Sequence, residues 1–214
     1  MFLFFLLCIC TCILHLLTIL LTGIACGVRV KKVSFGYGPK LLVTPLFELR
    51  ALPWGGSIAF KDSRVDTSLD DVIFDSLDQQ SLWKQLLISS SGCLILILVA
   101  IAIGGAKGVE EFVGGFHLFL VEVFDFSAFS SLPSFINSAS LSNQLLVITA
   151  KLAALNLIPY FGSNGLVLIH ILIKSFLKDF EFGQSALRMT ALFSMTFFGL
   201  WFANLAHFLA SNFL

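Results

Sequence analysis

Residues 2–24, FLFFLLCICTCILHLLTILLTGI, contain no Asp, Glu, Lys or Arg. A run of about 20 apolar residues matches the hydrocarbon thickness of a bilayer, and inside lipid the backbone must satisfy its own hydrogen bonds. That forces a helix. Further apolar windows follow at about 84–105, at about 144–173, where NLIPYFGSNG interrupts the run, and at about 189–210. Four spans are therefore expected. The first lacks the charged start of a signal peptide and is too long for its apolar region, and GIAC resembles a lipobox only loosely, so an uncleaved helix is expected. The composition agrees: 57% of the residues are hydrophobic and 12% charged, against about a quarter charged in soluble domains. The fold class is an α-helical integral membrane protein. Its 13 basic and 13 acidic residues cancel, which leaves no basic field for nucleic acid.

The charges orient the spans. Arg29, Lys31, Lys32 and Lys40 follow the first span, and Lys174, Lys178 and Arg188 lie between the third and fourth. The segment between the second and third has Lys107 against Glu110, Glu111, Glu122 and Asp125. The excess of Lys and Arg on cytoplasmic loops then places both termini outside, and a bacterial inner membrane is the expected location.

Residues 28–60 do not read as an ordinary loop. VRVKKVSF, KLLV, LFELRAL and SIAF are short runs rich in Val, Phe and Leu, separated by the turn formers GYGP and PWGG. They predict a small antiparallel sheet of about four strands, lying at the membrane interface or dipping into it, with an edge open to an extended peptide. Residues 61–80 read as a polar, acidic linker. The stretch at about 109–140, with its GGFHLFLVEVFDF, reads as an interfacial or re-entrant helix.

CGVRVKKVSFGYGPKLL, FELRALPWGGSIAF, SLWKQLLISSSG and NLIPYFGSNG, in that order, resemble the site-2 protease (M50) family of intramembrane zinc metalloproteases. That family carries CGV at the end of its first helix, a glycine turn, a Pro-Gly-Gly strand turn, a small-residue Gly-Pro motif in its second core helix and NxxPxPxLDG in its third. The resemblance covers most of the chain. It implies a single membrane domain over 1–214, with a core of about four transmembrane helices and the small membrane-associated sheet after the first. The roughly 35 residues between the second and third spans are too few for a PDZ domain.

Counted back from CGV, the family's HExxH falls on HLLTI, residues 15–19. In HExxH two histidines one turn apart hold the zinc, and the glutamate is the general base on its bound water. His15 remains, Leu16 stands at the base position and Ile19 at the second ligand position. The family's LDG aligns with Ser163, Asn164 and Gly165, so the third ligand, an aspartate, is Asn164. Hydrocarbon side chains offer no donor, an amide oxygen is a weak zinc ligand, and general-base catalysis contributes about 10²–10⁴ in rate. No catalytic residue, metal or other cofactor is therefore expected. His15 is expected to hydrogen-bond across the helix interface to Asn164.

The resemblance implies a scaffold that holds a transmembrane segment. The expected partner-binding residues are Asn156, Pro159 and Phe161 of the interrupted span and Trp54, Gly55, Gly56 and Ser57 of the sheet. Pro159 is expected to break the helix, and Asn156 either to grip an extended segment or to cap freed backbone groups. The leading reading is an inactive homologue that serves as a structural or binding subunit of a larger membrane complex, its partners being the bilayer and other membrane protein subunits or a transmembrane helix. No nucleic acid and no small-molecule substrate are inferred. The alternatives are an active protease with a rebuilt metal site and a factor that sequesters transmembrane clients. Cys8, Cys12 and His15 share one helix face at i, i+4 and i+7 and are the weak candidate for such a rebuilt site. Lys151, half a span deep, is expected to snorkel or to pair with Glu122 or Asp125.

Overall fold

The computed structural model describes residues 2–63, 73–124, 129–160, 162–177 and 183–213. Seven helices and two strands follow one another as α1 (Phe2–Ala25), β1 (Val30–Val43), β2 (Phe47–Phe60), α2 (Leu82–Gly104), α3 (Ala106–Leu120), α4 (Leu132–Ser138), α5 (Leu141–Leu157), α6 (Asn164–Phe176) and α7 (Gln184–Phe213). Among the described residues three helices are long and apolar enough to cross a membrane: Phe2–Ala25, Leu82–Gly104 and Gln184–Phe208. The expected third, interrupted span is two shorter apolar helices, α5 and α6. The chain is an integral membrane protein.

The chain packs as two units, one from Phe5 to Ile95 and the other from Leu96 to Leu214 together with Met1–Phe4. In the first, the four predicted strand runs fall pairwise into two long bent strands. Val33, Ser34 and Phe35 pair with Ile58, Ser57 and Gly56 on one side and with Phe47, Glu48 and Leu49 on the other. The start of β1 is thus enclosed by the two halves of β2. Gly36 and Gly38, at φ +87° and +82°, make the turn that a side chain would strain.

The sheet returns along α1 instead of standing beyond its end. Phe60 lies on Gly23, Ile58 packs on the core of Ile19, Val28 and Ile88, and a Cβ on Gly56 would fall 2.7 Å from the Leu16 side chain. Leu16 is nine residues before Ala25, or about 14 Å along the helix axis at 1.5 Å per residue. The base of the sheet is closed by residues around Asp75: Arg29 N donates to Asp75 O, Leu77 N to Lys61 O, and the buried Lys61 ammonium pairs with the Asp75 carboxylate at 2.8 Å. Lys84 Nζ donates to Cys26 O at 3.1 Å, placing a cation at the carbonyl end of α1. Part of the linker predicted at 61–80 is therefore structural. Residues 64–72 lie outside the described residues.

In the second unit α3 lies on α5. Gly115 permits the approach, since a Cβ there would fall 2.7 Å from Ala154 Cβ, and Lys107 Nζ donates to Asn143 Oδ1 at 2.9 Å. Lys151 Nζ pairs with Glu111 Oε2 at 3.1 Å. This corrects the expected partner: Glu122 faces His117 at 3.1 Å, and Asp125 lies outside the described residues. The reason is helical spacing. Glu111 is one turn from Gly115 on the face that meets α5, whereas Glu122 follows the end of α3. Both side chains of the pair are about a quarter exposed, 26% and 27%. Lys151→Met is expected to cost about 1–2 kcal/mol, below the figure for a fully buried pair, by stranding Glu111. Thermal unfolding in detergent measures it, and adding Glu111→Gln should restore most of the loss. A single variant as stable as the wild type removes the pair from the account.

Candidate functional site

α1 presents Thr11, Cys12, His15, Leu16, Ile19 and Gly23 as one buried face, with its other side open to lipid at Ile13, Leu17, Leu21 and Ile24. The spacing of three and four residues is that of a single helix stripe. His15 is 6% exposed, and its ring lies on Gly92 of α2. A Cβ at Gly92 would sit 2.6 Å from Nδ1, 2.7 Å from Cε1 and 2.9 Å from the His15 carbonyl oxygen. The small residue of SSSG thus lets α2 pass at this point. Nδ1 is buried without a hydrogen-bond partner among the described residues. Asn164, the expected partner of His15, belongs to the other unit.

Leu16 and Ile19 are packing groups. Leu16, 8% exposed, fills the space beside Gly56, and Ile19, 9% exposed, belongs to the core with Val28 and Ile88. The zinc implied by the resemblance does not fit these residues. Of the three positions in HLLTI, one offers an imidazole nitrogen and two offer only hydrocarbon. Cys12 is buried and Cys8 half-buried on the same face, and no group of three or more His, Cys, Asp or Glu side chains able to hold a metal occurs among the described residues.

Of the predicted sheet residues, Gly56 meets this helix face, beside Leu16. Gly55 and Gly56 are half-buried at the turn, and a Cβ on Gly55 would fall 3.1 Å from the Tyr37 ring. Trp54 and Ser57 lie in β2, with Ser57 exposed. Gly56, Ser57 and Ile58 pair with β1 on one side, so this stretch is an edge of the sheet.

In the other unit the break after α5 forms where Pro159 was expected to place it. α5 ends at Leu157, Tyr160 N donates to Ile158 O and Ser163 N to Tyr160 O, and α6 opens at Asn164. Ser163, 1% exposed, has a capping role beyond its place in the LDG alignment. Its hydroxyl accepts from Leu166 N at 3.1 Å and from Tyr160 N at 3.2 Å, capping α6 and holding the turn. A serine just before an apolar helical run was the available signal. Asn156 is half-buried and donates from Nδ2 to Leu152 O at 2.9 Å within its own helix. Pro159 is exposed, and Phe161 lies outside the described residues. Tyr160 stacks on Phe197 of α7 at 6.0 Å and meets Phe198 edge-on at 5.1 Å, tying the turn to α7.

Comparison with known proteins places these features. Residues 2–198 match the sequence profile of Peptidase family M50. A protein of Vibrio cholerae serotype O1 named as a zinc metalloprotease is 33% identical over 81 residues. The aligned segment is 36% of this chain and 18% of that relative, so the chain matches a small part of the relative's length.

Proposed function

The chain belongs to peptidase family M50, and from that premise we propose that it is a non-catalytic member, a structural or binding subunit that holds a transmembrane segment within a larger membrane assembly. One observation carries the reading: the two positions of HLLTI that align with the base and the second ligand are occupied by Leu16 and Ile19, and both side chains are spent on packing against the sheet and α2. A hydrocarbon side chain in a filled core neither binds a metal nor takes a proton from water. The remaining parts suit binding: an edge of the sheet at Gly56–Ile58 and a helix interrupted at Pro159. The distribution of Lys and Arg supports an inner-membrane location with both termini outside.

Purification in mild detergent tests the proposal. The protein is expected to carry no stoichiometric zinc by elemental analysis, to leave a model transmembrane substrate intact, and to retain a membrane protein partner at fixed ratio. A lone polypeptide with one zinc per chain and measurable cleavage overturns it.

A further inference from the structure

Glu48 gathers three cations in the sheet. Its carboxylate is 3% exposed and meets the Lys32 ammonium, Lys40 Nζ at 2.8 Å and Arg50 Nη2 at 3.1 Å, and it accepts from the Ser34 hydroxyl at 3.4 Å. Lys32, Lys40 and Arg50 hold this carboxyl down to about 2. Three cations on one carboxylate exceed what its charge requires. Among the described residues two of the three unit charges have no second carboxylate to pair with, the three cationic side chains are 36%, 52% and 32% exposed, and Arg50 Nε is buried without a partner.

The surroundings favour one class of anion for this cluster. Leu41, Leu42, Val43, Leu46 and Leu52 are all more than half exposed around the cluster. A soluble acidic partner has no use for that hydrocarbon, whereas a lipid supplies an acyl chain for it and a phosphate for the cations. The sheet also runs back along the last 14 Å or so of a membrane-crossing helix, within reach of headgroups. We propose that Lys32, Lys40 and Arg50, gathered on Glu48, form a binding site for the phosphate headgroup of an anionic phospholipid.

Native mass spectrometry of the full-length protein released from nanodiscs tests this, using phosphatidylglycerol against phosphatidylcholine. The wild type is expected to retain phosphatidylglycerol in preference to phosphatidylcholine. Lys32→Gln with Lys40→Gln, which keeps the Glu48–Arg50 pair, should weaken that binding about 30-fold, from about fivefold for each basic residue at an anionic surface. Lys32→Arg with Lys40→Arg should retain it, and Lys107→Gln, on α3, should leave it unchanged. Equal retention of the two lipids by the wild type, or an unaltered preference in the glutamine variant, overturns the assignment. Displacement of the lipid by millimolar inorganic phosphate also overturns it, assigning the cluster to a soluble anion.

Discussion

Leu16→Glu together with Ile19→His, the change that writes the family's HExxH back into α1, is expected to unfold the protein. Leu16 is packed beside Gly56, and a carboxylate there has no cation in the α1 stripe to meet it. An uncompensated buried charge costs about 3–5 kcal/mol. Ile19 supplies part of the core with Val28 and Ile88, and replacing that hydrocarbon with a polar ring costs about 2–4 kcal/mol. The two sites lie one turn apart and need not add strictly, yet their sum is comparable with the whole stability of a typical domain, about 5–15 kcal/mol. Size-exclusion profiles and thermal aggregation in detergent provide the readout, with the lipid-facing Ile13→Ala as a control that stays near wild type. If the double variant remains monodisperse and as stable as the control, Leu16 and Ile19 are not needed for packing, and the observation that carries the non-catalytic reading falls.

The second large effect is at Gly92. On helix propensity alone, Gly92→Ala would stabilise α2 by about 1 kcal/mol. Packing opposes it: the new methyl falls 2.6 Å from His15 Nδ1 and 2.9 Å from the His15 carbonyl oxygen. A ring can turn aside, but a helix carbonyl cannot, so α1 and α2 must separate. Overpacking of this kind costs about 1–3 kcal/mol for alanine, and Gly92→Leu is expected to abolish folding. A double-mutant cycle divides the two contacts. In a His15→Ala background, Gly92→Ala should cost less by about 1 kcal/mol, the ring's share, while the carbonyl's share persists. Strictly additive effects would mean that His15 does not pack on Gly92.

These two predictions mark where the sequence is legible and where it is not. The three long apolar runs declare themselves because lipid leaves a chain no other means of satisfying its backbone. Pro159 announced the break between α5 and α6, and the turn pairs GYGP and PWGG announced the sheet. The partner of Lys151 was not legible. Glu111, Glu122 and Asp125 are all acidic residues of the preceding segment, and only the face on which α3 meets α5 selects Glu111. Ser163 carried the signal of an N-cap, a serine just before an apolar helical run.

The sequence by itself determined that this chain belongs in a membrane and that HLLTI carries one imidazole, His15, among mostly apolar side chains. Both are properties of residue type and spacing, the first set by the cost of burying polar groups in hydrocarbon. The tertiary structure decided what the apolar residues of that stretch do. Leu16 and Ile19 serve the core because the sheet folds back along α1, and three cations converge on Glu48 because β1 is enclosed by both halves of β2. Those pairings join residues far apart in the chain, and their register depends on side-chain packing, which no local pattern encodes.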